Sequence, residues 1–352
     1  MRTLRQLAWS VVALGAICAQ AQMSSNVSVF ATGFNNPRGL KWGPDGNLYV
    51  AEGGTGGKGY STIGKCDQVP PPVGPYTGGS SARISKVTPD GTRTTLVKGL
   101  PSSSAAIGDV QGVADVAFLD GQMYALISGA GCSHAHAGFP NSVLKVQPDG
   151  SWTRLADLSA FIQLHPVKNP NPGDFEPDGT FYNLIAADGV LYAVEPNHGE
   201  IDAITTSGVV TRLIDFSETQ GHIVPTSVAR TSSGFIAGNL GTFPIAPGSS
   251  NRYAVNTIGG ITQVTPGLTT VVAVVVNGKD TYFLELNNAA GFPGPGNGDV
   301  VRMNGAKITT IATGLNVPTG MTMGPDGNLY VSNNGAVPSP PGVGQIVKIT
   351  IP

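Results

Sequence analysis

A set of polar residues recurs where short apolar runs of this chain begin and end: Arg38, Glu52, Asp115, Glu195, Asn197, Thr226, Asn239, Glu285, Asn287, Thr319 and Asn333. Carboxylates, amides and hydroxyls dominate it. Such oxygen donors suit a hard divalent cation such as Ca2+, which gathers about six to eight oxygens. Glu52, Asn197, Asn239 and Glu285 are the members expected to hold it. An ion so held could polarise an ester or lactone carbonyl. The competing reading is that these side chains cap hairpins or line a water-filled channel. His198 and His222 could add a general base at the same place, or serve as ordinary loop residues.

Two further stretches resemble chemical motifs. Cys132-Ser133-His134-Ala135-His136 has transition-metal spacing. Three ligands on one loop are fewer than a closed structural site needs, and Cys132 has an alternative partner in Cys66. Gly54-Thr55-Gly56-Gly57-Lys58-Gly59 matches the dinucleotide-binding glycine pattern, but runs on into Val69-Pro70-Pro71-Pro72. With no helix to follow, the phosphate argument fails. Gly59 after Lys58 also excludes a Walker motif, and the sequence contains neither G-x-S-x-G nor H-E-x-x-H.

What must position these residues is a repeat. Residues 33–54 read GFNNPRGLKWGPDGNLYVAEGG, and residues 314–335 read GLNVPTGMTMGPDGNLYVSNNG. Pro-Asp-Gly occurs at 44–46, 89–91, 148–150, 177–179 and 325–327, a turn signal in which Gly accepts positive φ; its aspartates are expected to form turns only. Inner hairpins are expected at 37–52, 112–127, 179–195, 225–239, 270–286 and 318–333. Outer hairpins follow at 82–98, 142–156, 199–214, 252–265 and 298–312; the last unit has only the strand at 344–351. Its missing partner is supplied by residues 27–32. The expected fold is an all-β, six-bladed β-propeller whose closing blade mixes both ends of the chain, leaving no sheet edge exposed. Surplus length collects at 53–81, 128–141, 240–251, 287–297 and 334–343, all on one face, where insertions often mark binding.

The first 21 residues read as a signal peptide. Arg2 and Arg5 precede an apolar run at 7–17, and Ala19-Gln20-Ala21 fits a cleavage site, so residues 22–352 form the propeller. The run is too short to span a bilayer, and no later stretch is apolar enough for one. A soluble protein, secreted or periplasmic, is expected. Of 20 Lys+Arg and 22 Asp+Glu, Arg2 and Arg5 leave with the signal, giving 18 against 22 and a net charge of −4. The basic residues form no patch, which argues against nucleic acid. Cys66 and Cys132 lie in equivalent loops of neighbouring blades and are expected to form a disulfide. Nothing in the chain asks for more than a monomer.

The 33–54 phrase, the Gly-rich loop with Cys66, the VPTSVA…GNLGTFP segment at 224–244 and the closing VPTGMTMGPDGNLYVSN together resemble the ScyD/ScyE family of exported, NHL-like propellers. The likeness covers essentially all of 22–352. It implies a six-bladed propeller and export, and assigns no catalytic residue. The chain departs from the family's wording at Glu195-Pro196-Asn197-His198. Pro-Thr-Ser at 225–227 and Pro-Thr-Gly at 318–320 stand where lactonase-type propellers carry Pro-Asn-Gly. The leading expectation is a binding protein using the insertion-rich face for a small molecule, glycan or protein. The alternative is a metal-assisted hydrolase or lactonase working in the central channel.

Overall fold

Near-continuous runs of small and branched apolar residues, separated by Asp-Gly and Asn-Gly turns, pair antiparallel into six sheets arranged as a ring in the computed structural model. The structure describes residues 22–336 and 340–352; the expected signal peptide lies outside them. Blade 1 is Pro37–Trp42, Leu48–Glu52, Thr77–Val87 and Arg93–Ser104. Blade 2 is Val113–Leu119, Gln122–Ile127, Ser142–Val146 and Trp152–Asp157. Blade 3 is Asn183–Ala187, Val190–Glu195, Glu200–Ile204 and Val210–Asp215. Blade 4 is Pro225–Thr231, Gly234–Asn239, Ser250–Val255 and Ile261–Leu268. Blade 5 is Val271–Asn277, Asp280–Glu285, Gly298–Asn304 and Lys307–Leu315. Blade 6 is Gly320–Met323, Leu329–Asn333 and Gly344–Ile349, completed by Val27–Phe34 from the other end of the chain.

The core is divided. One apolar cluster fills each of the six blade interfaces, from Ile84 and Val116 between blades 1 and 2 to Leu40 and Tyr330 between blades 6 and 1. Strands sandwiched this way are apolar on both faces, so they read as runs rather than alternations. Closure rests on Val27–Phe34 and on Asn26, which bonds the Ile311 and Thr350 carbonyls at 2.9 and 3.0 Å.

Two features depart from expectation. The inner strand of blade 3 starts at Asn183, not at residue 179, since the Asp178 and Gly179 carbonyls accept from Asn141 and the Thr180 N–H donates to Glu195; before it the chain folds the helix Leu158–Leu164, capped by Asp157 accepting from the Ala160 N–H. Leu158 and Ile162 bury that helix against blades 2 and 3. The Pro-Asp-Gly at 177–179 is accordingly no strand hairpin: Asp178 is buried and accepts from Ser133 Oγ and its N–H at 2.7 Å.

Candidate functional site

In an antiparallel strand successive side chains face opposite sides of the sheet. In a blade, the sides of the second strand are its two neighbours, not the channel. That is where the expected ring of ligands goes. Glu52 accepts from the Asn35 N–H at 2.6 Å and Arg83 Nε at 2.8 Å, and also from Ser85 Oγ. Glu195 accepts from the Thr180 and His198 N–H groups at 2.7 and 2.5 Å. Asn239 donates to the Ile223 carbonyl at 2.9 Å and accepts from the Asn251 N–H at 2.7 Å. Glu285 accepts from the Thr269 N–H at 2.8 Å, and Asn333 from the Asn316 N–H at 2.7 Å. In each case the partner lies in the loop that leads into the inner strand of the same blade, or beside it. These side chains are loop clamps.

The clamps hold unfavourable backbone. Asn36, Val224, Thr270 and Val317, at the entry to four inner strands, all have positive φ, between 36° and 56°. Three of these are β-branched, for which this conformation costs about 1–3 kcal/mol. Burial pushes the Glu52 carboxyl up from its ordinary pKa, against the Asn35 N–H, Ser85 and Arg83. Glu285 is pushed up to about 8 by burial and by Asp299, its cross-strand neighbour, which burial raises as well.

Arg38 and Thr226 sit at bulges that open their inner strands, which turns them toward the next blade. Thr226 donates to the Val271 carbonyl, and Thr319 to the Pro37 carbonyl at 2.6 Å. Arg38 donates to the Val110 carbonyl and pairs with Asp109 at 3.0 Å. Asn287 shapes its own loop through the Ala289 carbonyl and the Gly294 N–H. Asn197 is half-buried on the turn after Glu195. The four expected ion ligands are therefore spread over blades 1, 3, 4 and 5, with three of them engaged by their own blades. Among the described residues, no three His, Cys, Asp or Glu side chains group in a way that could hold a metal.

Asp115 does face the channel. A bulge re-aims it, and Gly39 leaves it room: a Cβ there would lie 1.8 Å from Asp115 Oδ1. Its carboxylate accepts from Asn183 Nδ2 at 2.7 Å and the Leu184 and Val116 N–H groups, with Lys41 Nζ 3.7 Å away. Asn183 in turn accepts from the Val228 N–H, so one polar chain ties blades 1 to 4. Below it lies a cavity of about 380 Å³ lined by inner strands of all six blades. Tyr182 crosses its upper end from blade 3 and donates to the Thr319 carbonyl of blade 6 at 2.9 Å. Burial raises the Tyr182 pKa, with Arg38 opposing.

The insertion-bearing face carries a second, larger hollow. It measures about 650 Å³ and lies between residues 58–80 and 132–139. The first loop is built, not slack. Tyr60–Ser61 pairs with Thr77 and Gly78, Thr62 and Gln68 bond each other, and Val69, Tyr76 and Ala105 form a small core. The Gly-rich stretch serves close backbone packing: a Cβ on Gly57 would lie 2.3 Å from the Gly78 carbonyl oxygen. The second loop is stapled three ways. Cys132 is bonded to Cys66, His134 Nε2 meets Glu176 Oε2 at 2.8 Å beneath the Tyr76 ring, and His136 Nε2 lies 3.3 Å from the Ser102 carbonyl. The Cys-Ser-His-Ala-His run thus joins blades 1, 2 and 3 instead of converging on an ion. His198 is buried against Phe175 and bonds the Glu176 carbonyl; His222 pairs with Asp174 at 2.8 Å. Of the groove residues, Lys58 lies in the glycine-rich run set aside above, while Tyr60 and Lys65 have no motif around them, and only their place inside an insertion points to them.

No family model matches the sequence, and no curated protein does. Solved structures do match in fold. A Thermus thermophilus protein described as an oxidoreductase (glucose dehydrogenase) has 15% identity and a TM-score of 0.58, over 92% of this chain and 99% of that one. The PQQ-bound aldose sugar dehydrogenase of Streptomyces coelicolor has 14% identity and a TM-score of 0.56, over 93% and 98%. A gluconolactonase of Xanthomonas campestris has 9% identity and a TM-score of 0.54, over 93% and 89%. At such identities the likeness is one of architecture. Redox and hydrolytic chemistries share it, so it transfers neither.

Proposed function

We propose that this protein is an exported ligand-binding propeller whose recognition site is the disulfide-pinned groove between residues 58–80 and 132–139. The observation that carries this reading is the groove itself: a concave, largely apolar hollow of about 650 Å³, walled by the two insertions that have their own bonds and core. Sites for small ligands have this size and character. Export is supported by the signal-like segment and by a disulfide, a bond of oxidising compartments. No helix among the described residues is long and apolar enough to cross a membrane. Membership of the ScyD/ScyE family belongs to the same proposal and rests on the 33–54 and 224–244 phrases.

The second reading, a metal-assisted lactonase, draws on the gluconolactonase among the fold neighbours. Its expected ligands Glu52, Asn239 and Glu285 spend their oxygens on loop clamps, which leaves the groove reading ahead. A fragment library screened by ligand-observed NMR separates the two. Gly138 lines the groove, and a Cβ there meets nothing within 4 Å, so Gly138→Trp is the substitution chosen to occlude the hollow, with unchanged circular dichroism as the check on its fold. Hits lost in Gly138→Trp, and weakened when Cys66→Ser/Cys132→Ser frees the loops, support the groove. Lactone turnover that vanishes in a folded Glu52→Gln variant and survives Gly138→Trp replaces it with the enzyme.

A further inference from the structure

We propose that the groove takes an organic anion: an aromatic carboxylic acid whose ring lies on the apolar floor and whose acidic group meets Lys58 and Lys65. The inference rests on the groove being the binding site and names the class of ligand.

Charge is the first argument. The chain carries more acidic than basic groups, 22 against 20. The groove lining reverses this: it contains Lys58 and Lys65 and no Asp or Glu. Both lysines are exposed. Asp67, next to Cys66, lies outside the lining. His136 adds no charge, since burial lowers its pKa and the Ser102 carbonyl only partly restores it.

The second argument is the floor. The Cys66–Cys132 bridge, Phe139, Ala135 and bare glycine backbone give the hollow its apolar character. Tyr60 is 66% exposed at the rim, with the Lys65 ammonium 5.7 Å from its ring centroid. Phe139 is backed by Trp152 edge-on at 5.7 Å and by the Arg154 guanidinium at 5.2 Å. A flat aromatic body finds rings to pack on at both ends.

The third argument weighs against phosphates. A phosphate site draws on free backbone N–H groups. Here the Gly59 N–H is spent on the Gly78 carbonyl, and the Tyr60–Ser61 strand is paired with Thr77 and Gly78. With the N–H groups of this strand engaged, Lys58 and Lys65 are the charged partners offered to the anion, and the apolar floor supplies the rest of its affinity. That is the balance of an aryl acid, not of a nucleotide or a sugar phosphate.

The test uses two fluorescent dyes on the intact protein: 8-anilinonaphthalene-1-sulfonate, an aromatic anion, and Nile red, which is neutral. The variants are Lys58→Glu/Lys65→Glu and Gly138→Trp, checked for unchanged circular dichroism. The proposal expects saturable anion binding lost in Gly138→Trp, weakened roughly tenfold by the double charge reversal and by added salt, and Nile red binding indifferent to charge. Benzoate and 4-hydroxyphenylacetate should displace the anionic dye, and benzyl alcohol should not. If both dyes are lost in Gly138→Trp yet neither responds to charge, the groove stands and the anion class is overturned. If Gly138→Trp leaves both dyes bound, the groove reading falls with it.

Discussion

Blades 1 and 6 are built from the same phrase, yet they differ sharply from one end to the other. At the lower hairpin they are copies. Asp45 accepts from Asn47, Tyr49 and Lys86 at 2.8, 2.9 and 2.8 Å. Asp326 accepts from Asn328, Tyr330 and Lys348 at 3.0, 3.1 and 2.6 Å. Both carboxyls are held well below the usual range, burial being outweighed by the lysine and asparagine bonds. At the upper end the copies part. Blade 1 ends in a charged clamp, Glu52 with Arg83, and then its long, cored, disulfide-bound insertion. Blade 6 ends in the neutral clamp Asn333 and a short loop. One face of the ring preserves the repeat, and the other is where individual blades were free to change.

The largest break in this comparison comes from deleting residues 22–32. That removes most of the outer strand of blade 6, which meets blade 1 at their shared cluster and at Gly91, where a Cβ would lie 2.4 Å from the Phe30 carbonyl oxygen. Loss of a single cooperative melting transition, or a fall on the order of 10 °C or more, is expected by calorimetry. Next come the clamps. Glu52→Ala leaves Arg83 without its buried partner and should lower stability by about 3–5 kcal/mol, whereas Asn333→Ala should lose about 1–2 kcal/mol. Equal losses in guanidinium titrations would show that charge adds nothing to the blade 1 clamp.

A third kind of clamp, in blade 5, sharpens the point through pH. Glu285 faces Asp299 instead of an arginine, and its pKa is pushed up to about 8. Folded protein therefore keeps a proton that unfolded chain releases near its ordinary carboxylate pKa. Stability from this pair is full below that value and drains away as pH rises toward 8. Glu285→Gln can still accept the Thr269 N–H while donating to Asp299. Melting curves from pH 5 to 9 should show the variant gaining a few degrees on the parent at the alkaline end. The smallest effect is expected at the copied hairpins: Asp45→Asn and Asp326→Asn should each lose about 0.5–1 kcal/mol, by equal amounts, since both ion pairs are partly exposed.

Much of the architecture could be read from residues alone. The duplicated phrase, the Asp-Gly turns and the orphan strand at 344–351 were enough to count blades and to assign residues 27–32 as the closing strand. Cys66 and Cys132 could be paired from their equivalent loops. The helix Leu158–Leu164 was missed although Asp157 and the Leu158, Phe161, Ile162 spacing announce it; a repeat template leaves no slot for a helix. Most of the expected channel residues face elsewhere for a physical reason. A carboxylate at a strand end has the same neighbours in sequence whether it faces a ligand or a backbone N–H, and strand alternation turned Glu52, Glu195 and Glu285 toward the N–H. Asp115 faces the channel because a bulge shifts its strand by one residue, which no nearby residue type signals.

The seam between Val27–Phe34 and Gly344–Ile349 also sets a timetable for biosynthesis. Asn26 and its partner Thr350 are 324 residues apart, so at about 5–20 residues per second the first strand waits roughly a quarter of a minute to a minute for its mate. The ring can shut only when both ends of the chain are present together, so a chain truncated at either end leaves blade 6 without a strand.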